Sequence, residues 1–71
     1  MKYRVEKLED IYQLLKPDPD GGWFRQGRKY TWKGLLNRAE TAGMQGDELE
    51  RGFGLTDEEW EAVLERYERF K

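Results

Sequence analysis

Seventy-one residues with a net charge of −2 make one small domain spanning 1–71. A chain of this length buries only about 60% of the surface it exposes when unfolded, so a few large apolar side chains carry the fold. The sequence has no cysteine, no histidine and no serine, which excludes disulfide staples, the usual transition-metal ligands and the usual nucleophile–base pairs.

Taken in chain order, Val5, Leu8, Ile11, Tyr12 and Leu15 fall within about a third of a helical wheel and predict an amphipathic helix over 4–15. Pro17 and Pro19 end it, and Asp18-Pro-Asp-Gly-Gly22 is a turn. The same turn has the Asp-x-Asp-Gly look of a calcium loop, but no ligand register fits. With Asp18 at position one, Lys29 falls where a bidentate Glu is needed. In Trp23-Phe-Arg-Gln-Gly-Arg-Lys-Tyr30, aromatic ends flank a Gln26-Gly27 centre, which predicts a short β-hairpin or an ordered loop.

Thr31 is an N-cap candidate for a second helix over 32–42, with Trp32, Leu35, Leu36, Ala39 and Ala42 in one stripe and Gly43 as its stop. Residues 47–51 have room for one or two helical turns at most. A third helix over 57–70 is the most strongly signalled. Thr56 and Glu59 form a capping box, Leu55 and Trp60 are placed as a hydrophobic staple, and Trp60, Val63, Leu64, Tyr67 and Phe70 share one stripe. Asp57, Glu58 and Glu59 in the first turn and Arg66, Arg69 and Lys71 in the last suit the helix dipole. The expected fold is therefore mainly α: a small three-helix domain, a helical bundle with a short hairpin or loop between helices 1 and 2. Its expected core is Leu8, Ile11, Leu15, Trp32, Leu35, Leu36, Val63, Leu64 and Tyr67.

The near-neutral total hides a polarised chain. Residues 1–20 are net −1, residues 21–39 net +5 without a single acid, and residues 40–71 net −6. In the basic block, Arg25, Arg28, Lys29 and Lys33 sit among Trp23, Phe24, Tyr30 and Trp32, offering charge for phosphates and rings for bases. On the last helix Glu58, Glu61, Glu65 and Glu68 line one side, a row of carboxylates that imitates a line of phosphates. A helix-turn-helix reading of 39–54 fails on charge, because its second helix would offer Asp47, Glu48 and Glu50 to the major groove.

No catalytic residues, cofactor or metal are expected. The pattern points to a non-enzymatic, acidic protein-binding domain that occupies a partner's surface. Its contact residues are Glu58, Glu61 and Glu65, or else Trp23, Arg25, Arg28 and Lys29. A small inhibitor of nucleic-acid machinery, of the kind phages use against CRISPR or restriction systems, fits the size and charge by analogy. Direct nucleic-acid binding through 23–33 is the alternative, and a homodimer the third reading. No apolar run approaches the roughly 20 residues of a membrane span, and the first residues lack the apolar core of a secretory signal, so the expected location is the cytoplasm.

Overall fold

In the first third of the chain, alternation overrides the helical wheel. The structure, a computed structural model, describes residues 2–70, without the side chains of residues 25–28. Instead of a helix over 4–15 it has two antiparallel strands, β1 (Lys2–Leu8) and β2 (Ile11–Pro17), paired Arg4 with Leu15, Val5 with Leu14, Lys7 with Tyr12 and Leu8 with Ile11. Tyr3, Val5, Ile11 and Tyr12 are β-branched or aromatic, the residue types that suit a pleated surface. The two-residue turn between the strands places Glu9 at φ +57°, a left-handed conformation that costs an L-residue about 1–2 kcal/mol.

The predicted hairpin is also replaced. Residues 23–30 form one strand, β3 (Trp23–Tyr30), antiparallel to β2. Its register with β2 shifts between Gln13 and Leu15, so the Gln26-Gly27 centre is an irregularity within a strand rather than a turn between two. The turn before it closes as its composition predicts: Asp18 N–H donates to the Gly22 carbonyl at 3.0 Å, and Asp20 N–H donates to Asp18 Oδ1 at 2.9 Å.

Helix α1 (Trp32–Gln45) starts at its expected cap, with Thr31 Oγ1 accepting from Gly34 N–H at 3.2 Å. It runs through buried Gly43 and stops at Gly46, which adopts the left-handed φ of +76°. Residues 47–51 are not helical. They supply β4 (Glu48–Arg51), parallel to β1, with Tyr3 opposite Leu49 and Arg4 opposite Glu50. The second helix that a helix-turn-helix would need there is instead an edge strand, which agrees with the rejection of that reading on charge.

After β4 the chain clips onto β1. Gly52 N–H donates to the Val5 carbonyl at 2.8 Å, and Lys7 N–H donates to the Phe53 carbonyl at 3.0 Å. A Cβ at Gly52 would lie 2.5 Å from Val5 O, and one at Gly54 would lie 2.1 Å from Lys7 O, so neither position admits a side chain. Helix α2 (Asp57–Arg69) follows, with both halves of its capping box formed.

The result is a mixed four-stranded sheet in the order β3-β2-β1-β4 with two helices on one face, an α/β fold and not a three-helix bundle. The core lies between the layers: Tyr3, Val5, Tyr12 and Leu14 from the sheet, Leu35, Ala39 and Ala42 from α1, and Leu55, Val63 and Tyr67 from the last segment. Trp32, Leu36, Trp60 and Leu64 pack against it half-buried. Leu8 and Ile11 are not core residues. They point with Leu15 to the opposite face of the sheet, where Ile11 is 36% exposed and Leu15 is buried. Arg66 pairs with Glu40 between the helices, and the Tyr67 hydroxyl on α2 donates to the Asp47 carbonyl just before β4. No helix among the described residues is long and apolar enough to cross a membrane.

Candidate functional site

The start of α2 is the most heavily organised point of the surface. The cap requires Glu59 Oε1 to face back and accept from Thr56 N–H at 3.0 Å. Its other oxygen accepts from the Tyr12 hydroxyl on β2 and from Lys7 Nζ on β1 at 3.1 Å. The Thr56 N–H first, then the Tyr12 hydroxyl and the Lys7 ammonium, hold the Glu59 carboxyl at a pKa of about 2. Burial and the adjoining Glu59 charge raise the Tyr12 phenol above its ordinary value, and the bond to Glu59 raises that of the Lys7 ammonium. One carboxylate therefore joins helix cap to sheet, fixed in place and ionised.

The Tyr12 ring also meets Trp32, the first residue of α1, at 5.4 Å between centroids and a 47° tilt. Tyr12, Trp32, Glu58 and Glu59 wall a cleft of about 400 Å³ where the two helices begin. From Glu58 the acidic row continues along α2 through Glu61, Glu65 and Glu68, all exposed. Glu65 accepts from Arg69 at 2.8 Å, whereas Glu58, Glu61 and Glu68 make no ion pair among the described residues. Of the basic side chains of α2, Arg66 turns to Glu40 on α1, and Arg69 pairs with Glu65 within the row.

Of the second set of expected contact residues, Trp23 and Lys29 sit on the other side of the sheet. Trp23 is half-buried with the Arg4 guanidinium 4.4 Å above its ring, so one face of that indole is already covered. Arg4 in turn pairs with Glu50 at 2.8 Å, and Lys2 reaches the same carboxylate at 3.5 Å. Lys29 is exposed beside Gln13, at the rim of a depression of about 600 Å³ that also includes Leu8, Ile11 and Phe53. The side chains of Arg25 and Arg28 lie outside the described residues. Arg38, the last member of the basic block, stacks over Tyr3 at 5.1 Å.

Glu58, Glu61 and Glu65 thus share one face, and Trp23 and Lys29 share the opposite one. No described cation of the basic block pairs with a glutamate of α2, so the separation of charge seen in sequence persists in space among the described residues. Three features escaped the sequence: the link from Glu59 to Tyr12 and Lys7, the place of Trp32 in the cleft, and the outward Phe53. Only Phe53 carried a local signal, its two flanking glycines. Among the described residues no group of three or more His, Cys, Asp or Glu is arranged to hold a metal ion. No family model matches the chain, and neither a curated protein nor a solved structure matches it.

Proposed function

We propose that this chain is a non-enzymatic binding domain that occupies a basic surface of a protein partner with the outward side of α2. The observation that supports this is the exposed row of Glu58, Glu61 and Glu65, carried on a helix whose first turn is tied to the sheet. No described cation of the basic block neutralises the row, and among the described residues only Glu65 is paired, with Arg69. A rigid helix presents its charges without a large ordering cost on binding. Complementary charge speeds encounter and rejects acidic competitors. The partner class with the most basic grooves is the nucleic-acid-handling proteins. A cytoplasmic inhibitor of such a protein, of the type phages deploy against restriction or CRISPR systems, is the narrower form of the proposal.

The other face is less suited to phosphate. Glu6, Glu48 and Glu50 share it with Lys2, Arg4 and Lys29, so its charge is mixed. Affinity capture from host lysate with the wild type and with Glu58→Lys, Glu61→Lys and Glu65→Lys combined tests the proposal, the captured proteins being identified by mass spectrometry. A basic protein held by the wild type and lost by a still-helical variant supports it. Equal capture by both removes it. Tight, salt-sensitive binding to bare DNA or RNA by the wild type and the variant alike would transfer the function to residues 23–33.

A further inference from the structure

We propose that the cleft walled by Tyr12, Trp32, Glu58 and Glu59 receives a single lysine or arginine side chain of the protein partner, a step that rests on the acidic-face function above and names its anchor. The cleft exists because two caps place two helix starts over one end of the sheet. Thr31 sets Trp32 as the first residue of α1, and Thr56 sets Glu58 and Glu59 in the first turn of α2, both beside Tyr12.

The walls offer the exposed Glu58 carboxylate beside the half-buried Trp32 ring, the chemistry that holds an ammonium or guanidinium. Tyr12 is buried, and Glu59 is already bonded to Thr56, Tyr12 and Lys7. A volume of about 400 Å³ accommodates the end of one such side chain. The chain already satisfies one of its own cations with part of this set. Lys7 Nζ lies 3.1 Å from Glu59 and 5.4 Å from the Tyr12 ring centroid, while Lys7 is not among the residues lining the cleft. Lys7 offsets the charge of Glu59, which leaves Glu58 as the carboxylate that an incoming cation neutralises.

Positive charge of two kinds opposes a cation at the cleft. The starts of α1 and α2 each carry roughly half a positive charge, and Lys33 is exposed next to Trp32. Asp57, Glu58 and Glu59 outweigh the end of α2, although Asp57 is already engaged by Arg51 at 2.7 Å. The balance at the cleft turns on Glu58, and that residue also begins the exposed row. A basic partner segment lying along Glu61 and Glu65 would bring one of its side chains to the cleft mouth.

The probes are Nα-acetyl-arginine amide and Nα-acetyl-lysine amide, with Nα-acetyl-norleucine amide as the uncharged control, followed by ¹H–¹⁵N spectra at low ionic strength. Saturable shifts of the Trp32 indole N–H and the Glu58 amide are expected with the two cations only. Glu58→Gln should weaken them about fivefold, whereas Glu61→Gln, one turn further along the row, should change them less than about twofold. Glu58 is exposed and outside the capping pair, so its variant keeps the fold. Silence at Trp32, equal shifts with norleucine, or indifference to Glu58→Gln would each overturn the cleft. A hexalysine titration separates this from the broader proposal. Shifts at Glu61 and Glu65 with Trp32 silent remove the cleft and keep the acidic face, and no shift anywhere on α2 removes both.

Discussion

Gly54→Ala gives the sharpest test of how the chain closes onto its sheet. Gly54 holds φ +94°, and an added Cβ would stand 2.1 Å from the carbonyl oxygen of Lys7. That oxygen belongs to β1, an interior strand bonded on both sides, so the loop and not the strand must move. The backbone conformation alone costs an L-residue about 1–2 kcal/mol. Displacing the loop gives up the bond from Lys7 N–H to the Phe53 carbonyl, about 1 kcal/mol net, and crowding adds a further 1–3 kcal/mol or so. The expected loss is about 3–6 kcal/mol, against a total of roughly 4–10 kcal/mol for a domain of this size. Gly22→Ala is the control, because Gly22 also has a positive φ (+77°) but meets nothing within 4 Å, so only the backbone cost of about 1–2 kcal/mol applies. Urea unfolding followed by circular dichroism measures both. Equal losses at the two sites would refute the steric account of the Gly52-Phe53-Gly54 clip.

Further outcomes follow from the same structure. The folded pKa of Glu59, about 2, lies below its ordinary 4.5, so its contribution to stability is complete above 4.5 and is lost as the pH falls through about 2. Urea midpoints taken from about pH 5 down to about pH 2 should therefore fall less steeply for Glu59→Gln than for the wild type. Leu35, 1% exposed between the layers, should lose about 2–5 kcal/mol as Leu35→Ala, enough to leave the chain partly unfolded at room temperature by near-ultraviolet circular dichroism. Tyr67→Phe removes the donor to the Asp47 carbonyl and should cost about 1 kcal/mol in the same urea assay, with the far-ultraviolet spectrum unchanged.

The helices were legible because their signals are local. Thr31 and Thr56 cap where their spacing to the following residues indicates, and the apolar stripes of α1 and α2 turn toward one core, except for Phe70, which caps α2 and is exposed. The first hairpin was not. Val5, Leu8, Ile11, Tyr12 and Leu15 satisfy a helical wheel, yet in two strands they divide between faces, Val5 and Tyr12 to the core and Leu8, Ile11 and Leu15 away from it. The acidic Glu9-Asp10 turn carries none of the glycine or asparagine that marks most tight hairpins. Strand β4 was illegible for a different reason. Its pairing with β1 joins residues 46 positions apart, and nothing in Glu48–Arg51 itself records that partner. The candidate site divides the same way. The glutamate row is a periodicity and was visible, while the bond between Tyr12 and Glu59 exists only once the sheet and α2 meet.

Calorimetric binding to the captured partner tests most directly whether α2 is the working surface. Wild type, the triple lysine variant at 58, 61 and 65, and Phe53→Ser on the opposite face would be titrated side by side. Loss of binding in the triple variant with Phe53→Ser unaffected is the result expected. Retained binding in the triple variant, with loss in Phe53→Ser, would contradict the account and move the contact to the open face of the sheet.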